Sequence, residues 1–450
     1  MDPRRRLFVA SCAALVAGAM TFSICTDIMG DLEQAFQLTK TQTGQAVSWG
    51  TIGGVLVLFL GGALLDFVGI GRVLWLAFVT YVVGIALVIC AQGFWSLMVA
   101  WMCLAVAGSL VQAAISPLAA TLYPENKTRT MNHLHAWWPG GLILGGLVAY
   151  GLTKALQNPA APAYLRENAW RIKLACIYVP TVVFAVLIFG KKFPKTERVQ
   201  AGVSSRAMFR EALRPLFLVL VFCMLLTASV ELGPNRWVGV FIKDIIGIRG
   251  VLMLVYTSGL MFVLRFFAGP LSKHISSMGI LLASSLLSGL GLLWLGFATG
   301  TLTLFLAATV FGVGVTYFWP TMLGVTAERF PKGGAFLLGI VGAAAGLFLS
   351  YVTVPGMGRL HDHYTLKNLP PAVAEKVLVK GRVDTARHDA LPAAEKQSVA
   401  SAKQVAASMT FRYVSILSAV LLVVFAGIFL RDRVARRTAD PPAPGQDATA

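Results

Sequence analysis

Apolar runs long enough to cross a bilayer recur along this chain. A membrane-spanning helix needs roughly 20 consecutive apolar residues. Runs of that size lie at 7–29, 44–65, 72–92, 95–122, 134–154 and 170–190, and again at 214–236, 251–271, 277–298, 302–323, 334–357 and 410–430. Hydrocarbon offers no partner for a backbone N–H or C=O, so a spanning run must satisfy them within itself as a helix. A membrane β-barrel would instead show short segments of alternating polarity. The expected fold is an all-α polytopic membrane protein with twelve transmembrane helices.

A net charge of +18 raises the question of nucleic-acid binding, but only 13% of residues are charged and the basic ones gather at span ends. Arg4, Arg5, Arg6, Arg72, Lys127, Arg129, Lys191, Lys192, Lys195, Arg198, Arg206, Arg210 and Arg214 fall on alternate links, as do Lys273, Arg329, Lys332, Arg431, Arg433, Arg436 and Arg437. That bias marks cytoplasmic loops. It predicts a bacterial-type cytoplasmic (inner) membrane with both termini in the cytoplasm, lipids as partners and no nucleic acid. The opposite links are not free of base: Lys40, Arg166, Arg171, Lys173, Lys243 and Arg249 lie there. The first apolar run, after three arginines, reads as an uncleaved helix rather than a signal peptide.

Cys12, Cys25, Cys90, Cys103, Cys176 and Cys223 sit inside apolar runs without metal-ligand spacing, and read as small buried hydrophobes. No Walker motif or recognisable Ser-His-Asp motif appears, so neither an enzyme, a cofactor nor a metal is expected. The organisation read from the chain is an N-terminal six-helix bundle (1–190), a cytoplasmic central loop (191–213) and a C-terminal six-helix bundle (214–430). A polar extracytoplasmic insert (359–409) carries one or two short surface helices, and a disordered cytoplasmic tail follows (431–450).

The turn Gly61-Gly62-Ala63-Leu64-Leu65-Asp66-Phe67-Val68-Gly69-Ile70-Gly71-Arg72 resembles the loop between the second and third helices of the major facilitator superfamily of secondary transporters. A weak repeat agrees: Pro117 before Tyr123-Pro124 matches Pro320 before Phe330-Pro331, and Gly269 to Gly279 echoes the turn, with Lys273 in place of its acid. The resemblance implies two six-helix halves with a site between them at mid-membrane. It implies alternating access, a monomer, and an inner gate at Gly62, Asp66, Gly69 and Arg72, where acid and base lock the cytoplasmic side.

Ionisable groups within spans are functional candidates by default. Thr26-Asp27-Ile28-Met29 followed by Gln34-Ala35-Phe36-Gln37-Leu38-Thr39 resembles the first helix of the fucose/glucose/galactose–proton symporter group of that superfamily. By that resemblance Asp27 binds the proton; the bland alternative is a span-end acid meeting water. Gln112, five residues before Pro117, stands where the group carries a glutamate. An amide can bind a hydroxyl but cannot titrate.

Asn132-His133-Leu134-His135-Ala136-Trp137-Trp138-Pro139 resembles the group's Asn-x-x-Gln-Ala-Phe-Asn-Pro stretch. His135 and Trp138 would share one helix face and hold a polyol by hydrogen bond and stacking. They could equally be an interfacial histidine and a belt aromatic. Glu231-Leu232-Gly233-Pro234-Asn235-Arg236-Trp237 suggests a discontinuous helix, with Glu231, Asn235 and Trp237 lining the cavity, or else an outer gate in which Glu231 or Arg236 pairs with a charge on another helix. Arg265 is expected at the inner gate, and one of Tyr317 and Trp319 in the cavity.

The expected function is proton-coupled movement of a small polar solute, a monosaccharide by the resemblance, with Asp27, Glu231 and His135 as proton sites. Two alternatives remain open at this point. One is an organic-anion carrier using Arg236, Arg265 and His135. The other is a non-transporting receptor or sensor that uses the 359–409 insert.

Overall fold

A computed structural model describes residues 2–38, 40–156, 158, 162–246, 251–379 and 382–439. Span 1 is Pro3–Asp27, span 2 Lys40–Val68, span 3 Ile70–Ile89 and span 4 Phe94–Leu122. Span 5 comes in two pieces, Lys127–His135 and Trp137–Leu156, as does span 6, Ala169–Ala175 and Tyr178–Ile188. Span 7 is Pro215–Ile246, span 8 is Val251–Arg265 with Ala268–His274, and span 9 is Ser277–Leu295. Span 10 is Thr301–Val315 with Phe318–Arg329. Span 11 joins Gly334–Phe348 to Val354–Asn368 through a π-helical turn, Leu349–Thr353, and span 12 is Ala393–Ala439. Eleven helices among the described residues are long and apolar enough to cross a membrane. Span 8 is divided by a turn at Phe266–Phe267.

Each set of six spans builds its own apolar core. Leu15, Tyr81, Leu104 and Phe184 belong to the first, and Phe217, Phe311, Phe411 and Phe425 to the second. The halves meet where span 2 packs on span 11 and span 5 on spans 8 and 10. The seam between spans 2 and 11 requires glycine. A Cβ at Gly62 would lie 2.6 Å from the Ala335 carbonyl oxygen, inside contact distance. Gly69, at φ 89°, supplies the left-handed residue that turns span 2 into span 3.

Three stretches differ from the sequence expectation. Span 7 runs unbroken through Pro234. A proline in a spanning helix is tolerated when the freed carbonyl finds another partner. The polar stretch 359–409 is largely helix: span 11 extends to Asn368 and span 12 already begins at Ala393. Residues 393–409 hold six Ala, two Lys and two Gln, which favour helix without making the stretch strongly apolar. Span 12 is 47 residues long, about 70 Å at 1.5 Å per residue, and so projects well beyond a hydrocarbon core of about 30 Å.

Between these extensions lie a short helix, Pro371–Val377, an antiparallel pair, Leu378–Val379 with Arg382–Val383, and Thr385–Asp389. A small core of Leu369, Val373, Val377, Leu391, Val399 and Ala402 holds them. At the C-terminus, span 12 stays helical to Ala439, where a disordered tail was expected from 431; residues 440–450 lie outside the described set.

Candidate functional site

A buried ion pair joins spans 7 and 8. Arg265 of span 8 donates to Glu231 Oε1 of span 7 at 2.9 Å, with both side chains at most 3% exposed. A buried pair is costly unless its remaining hydrogen-bonding capacity is also met. Here helix breaks meet it. Arg265 Nε donates to the carbonyl of Thr316 at 2.7 Å, in the break of span 10. A second guanidinium nitrogen donates to the carbonyl of His135 at 2.7 Å, beside the turn residue Ala136 of span 5. Glu231 Oε2 accepts the backbone N–H of Trp319 at 3.2 Å, in the first turn after the span 10 break.

Such breaks leave backbone groups without their intrahelical partners, and in a membrane those groups must be satisfied by other protein atoms. Span 8 breaks directly after Arg265. There Tyr317 donates its hydroxyl to the carbonyl of Leu264 at 2.7 Å, and a ring nitrogen of His133 lies 3.3 Å from the carbonyl of Phe266. Glu231 thus pairs with a charge on another helix, Arg265 of span 8. Arg265, expected at the inner gate, reaches across from its own half to the His135 carbonyl of span 5.

The Asn132–Pro139 stretch does not present one face. The backbone stays helical through the turn residue Ala136, but His135 and Trp138 meet different neighbours. His135 is buried, with Nε2 3.4 Å from Ser116 Oγ of span 4. Trp138 is half-buried against Gly18 and Phe22 of span 1. Asn132 is buried and donates to the Thr128 carbonyl at 2.9 Å and to Thr321 Oγ1 of span 10 at 3.2 Å, while its Oδ1 has no partner. Tyr317 is tied up at the span 8 break, leaving half-buried Trp319 as the more open of the two aromatics.

Gln112 is the one residue of 110–120 that is not buried, and its amide makes no hydrogen bond to the described residues. Asn235, one turn beyond Glu231, is half-buried with Oδ1 unpartnered. The side chains of Arg236 and Trp237 lie outside the described residues. Asp27 sits at the end of the bundle away from both termini, 2.6 Å from Lys173 Nζ of span 6.

At the termini end, the acid of the span 2–3 turn finds a different base from the one expected. Asp66 accepts from Arg198 Nε at 2.5 Å and from the hydroxyl of Thr196. Both donors belong to the stretch between the halves, at its short helix Glu197–Gln200 and the residue before it. Arg72 is exposed and turns back to the carbonyl of Val68 at 3.4 Å. Beside it, Lys127 donates to Glu197 at 2.8 Å and to the Ala327 carbonyl of span 10 at 3.2 Å. Thr128 donates to Glu328 at 2.7 Å. Thr196, Glu197, Arg198, Lys127, Thr128 and Glu328 were not singled out from sequence, because polar residues at span ends look alike until their neighbours are known. No cluster of His, Cys, Asp and Glu suited to a metal occurs among the described residues.

The sequence profile of the Major Facilitator Superfamily matches residues 7–357. Among solved structures, the E. coli fucose:proton symporter FucP is similar at 16% identity, with a TM-score of 0.67 over 92% of this chain and 98% of that one. The proton:xylose symporter XylE is similar at 12% identity, with a TM-score of 0.70 over 93% and 94%. The human organic anion transporter MFSD10 is similar at 11% identity, with a TM-score of 0.65 over 94% and 100%. At these identities the likeness is one of fold. No curated protein sequence matches the chain.

Proposed function

We propose that this chain, which belongs to the Major Facilitator Superfamily, moves a small neutral polar solute, a monosaccharide, by proton-coupled alternating access. The observation that carries this reading is the state of Arg265. Its guanidinium is committed to Glu231, Thr316 and His135 and is almost fully buried. A carboxylate cargo would need that charge free. Among the described residues, the amide of Gln112 and the Oδ1 of Asn235 are neutral polar groups without a partner, and Trp138 and Trp319 are half-buried on spans 5 and 10. Amides exchange hydrogen bonds with hydroxyls, and an aromatic face suits the apolar side of a sugar ring.

Glu231 is the best-supported proton site. It is an acid in the membrane interior, where such groups are functional by default. Protonating it removes the charge that compensates Arg265, which gives the proton a means of acting on the span 5 turn and the span 10 break. Asp27 is the rival site, half-exposed and paired within its own half. The gathering of basic residues at the termini end supports a cytoplasmic-membrane protein with both termini in the cytoplasm.

Thermal-shift binding in detergent against neutral monosaccharides and small carboxylates tests the reading, followed by uptake into liposomes with an imposed proton gradient. A ligand that binds only the native state raises its apparent melting temperature. Stabilisation by a neutral sugar, with gradient-driven uptake, is expected. Stabilisation by carboxylates alone would retire the sugar in favour of an organic anion. Binding without flux would make the chain a receptor.

A further inference from the structure

We propose a binding site for the phosphate of an anionic lipid where spans 7 and 10 meet beside the end of span 12. This goes beyond the transport reading and does not depend on it. Three membrane boundaries coincide there. The apolar part of span 7 begins after Arg214, span 10 ends at Arg329, and the apolar run of span 12 ends at Leu430. Between the first two lies a cavity of about 300 Å³, lined by Arg214, Pro215, Leu216, Arg329 and Phe330. Small-molecule sites begin at about that size.

The walls suit a phosphate. A guanidinium carries its donors in a planar fork that matches phosphate oxygens. Arg329 donates to both carboxylate oxygens of Asp432 in span 12, which fixes it at the wall. Arg214 is held more loosely. Its guanidinium carbon stands 6.0 Å from the centre of the Phe330 ring, at the limit of cation–π reach. Its Nη1 donates to Glu211 at 3.0 Å, and its other nitrogens make no hydrogen bond among the described residues. Asp432 also pairs with Arg431. Three bases, Arg214, Arg329 and Arg431, therefore share two acids, Glu211 and Asp432, and one positive charge is left over.

The surroundings favour a lipid over a soluble phosphate. The Leu218 N–H donates to the Arg214 carbonyl at 3.1 Å, so Arg214, Leu218 and Phe222 follow one helical face of span 7. Leu218 and Phe222 are exposed, as is Leu430 just before Arg431. An exposed apolar stripe on a spanning helix faces acyl chains. A phospholipid seated here places its phosphate on Arg214 and its chains along Leu218 and Phe222. Basic pockets between spanning helices recognise anionic headgroups in this way.

Native mass spectrometry of the full chain in detergent, titrated with phosphatidylglycerol, phosphatidylcholine or glycerol phosphate, tests the site. The unmodified chain is expected to hold phosphatidylglycerol in preference to phosphatidylcholine, and glycerol phosphate far more weakly. Arg214→Gln is expected to weaken phosphatidylglycerol about fivefold, the share of one basic residue at a charged surface. Because Arg214 is exposed, its removal leaves the fold intact. Arg206→Gln removes an equal charge from an exposed position in the linking stretch and is expected to change nothing. Equal loss in Arg206→Gln, or no loss in Arg214→Gln, would overturn the site. So would equal binding of the two lipids. Glycerol phosphate held as tightly as phosphatidylglycerol would overturn the lipid as occupant and leave a soluble phosphate in its place.

Discussion

Arg198 Nε lies 2.5 Å from Asp66 Oδ2, in a contact almost closed to water: the two side chains are 6% and 1% exposed. The pair joins the stretch between the halves to the turn between spans 2 and 3. Lys127, bonded to the adjacent Glu197, extends the contact to the Ala327 carbonyl of span 10. The linking stretch thus fastens both halves at the termini end.

Removing one partner of a buried pair strands the other, at a typical cost of about 3–5 kcal/mol. Asp66→Asn is therefore expected to lower the melting temperature clearly, and Arg198→Gln likewise. The double variant should recover much of the loss, because no buried charge remains unpaired. A double-mutant cycle of unfolding free energies checks this. Additive losses would mean that the two residues do not act through each other.

Glu231→Gln keeps an oxygen for Arg265 and for the Trp319 N–H but cannot carry the transported proton. We expect it to abolish accumulation against a gradient while sparing counterflow exchange in liposomes. Asp27→Asn should keep accumulation. The reverse result, with Asp27→Asn uncoupled and Glu231→Gln active, would move coupling to the far end.

Gly62→Ala places a methyl group 2.6 Å from the Ala335 carbonyl oxygen. Overpacking of this kind costs about 1–3 kcal/mol, and the cost falls on the seam between spans 2 and 11. Transport should slow, and labels across that end should report a larger separated population. Normal rates with normal distances would show that the seam yields freely.

Gln112→Leu removes one neutral hydrogen bond, typically worth about 1 kcal/mol. Affinity for the stabilising sugar should fall by about fivefold, read as a displaced midpoint in the thermal-shift titration. An unchanged midpoint would place Gln112 outside the binding surface.

The spans were legible in the sequence because crossing hydrocarbon is a local demand, met residue by residue. Hence the apolar runs, the Gly69 turn and the family resemblance could be read without coordinates. Hydropathy reports where lipid is, not where a helix ends, so the helical residues 393–409 and the extension of span 11 to Asn368 were hidden in a polar stretch. The partners of Asp66, Glu231 and His135 lay further out of reach. Arg198 is 132 residues from Asp66 in the chain, and the carbonyl that Arg265 reaches is 130 residues away. Composition and hydropathy were enough to mark the segments that cross the membrane and the charges they carry. Which charge meets which came from packing, because a buried ion must find whatever donors and broken-helix carbonyls lie beside it.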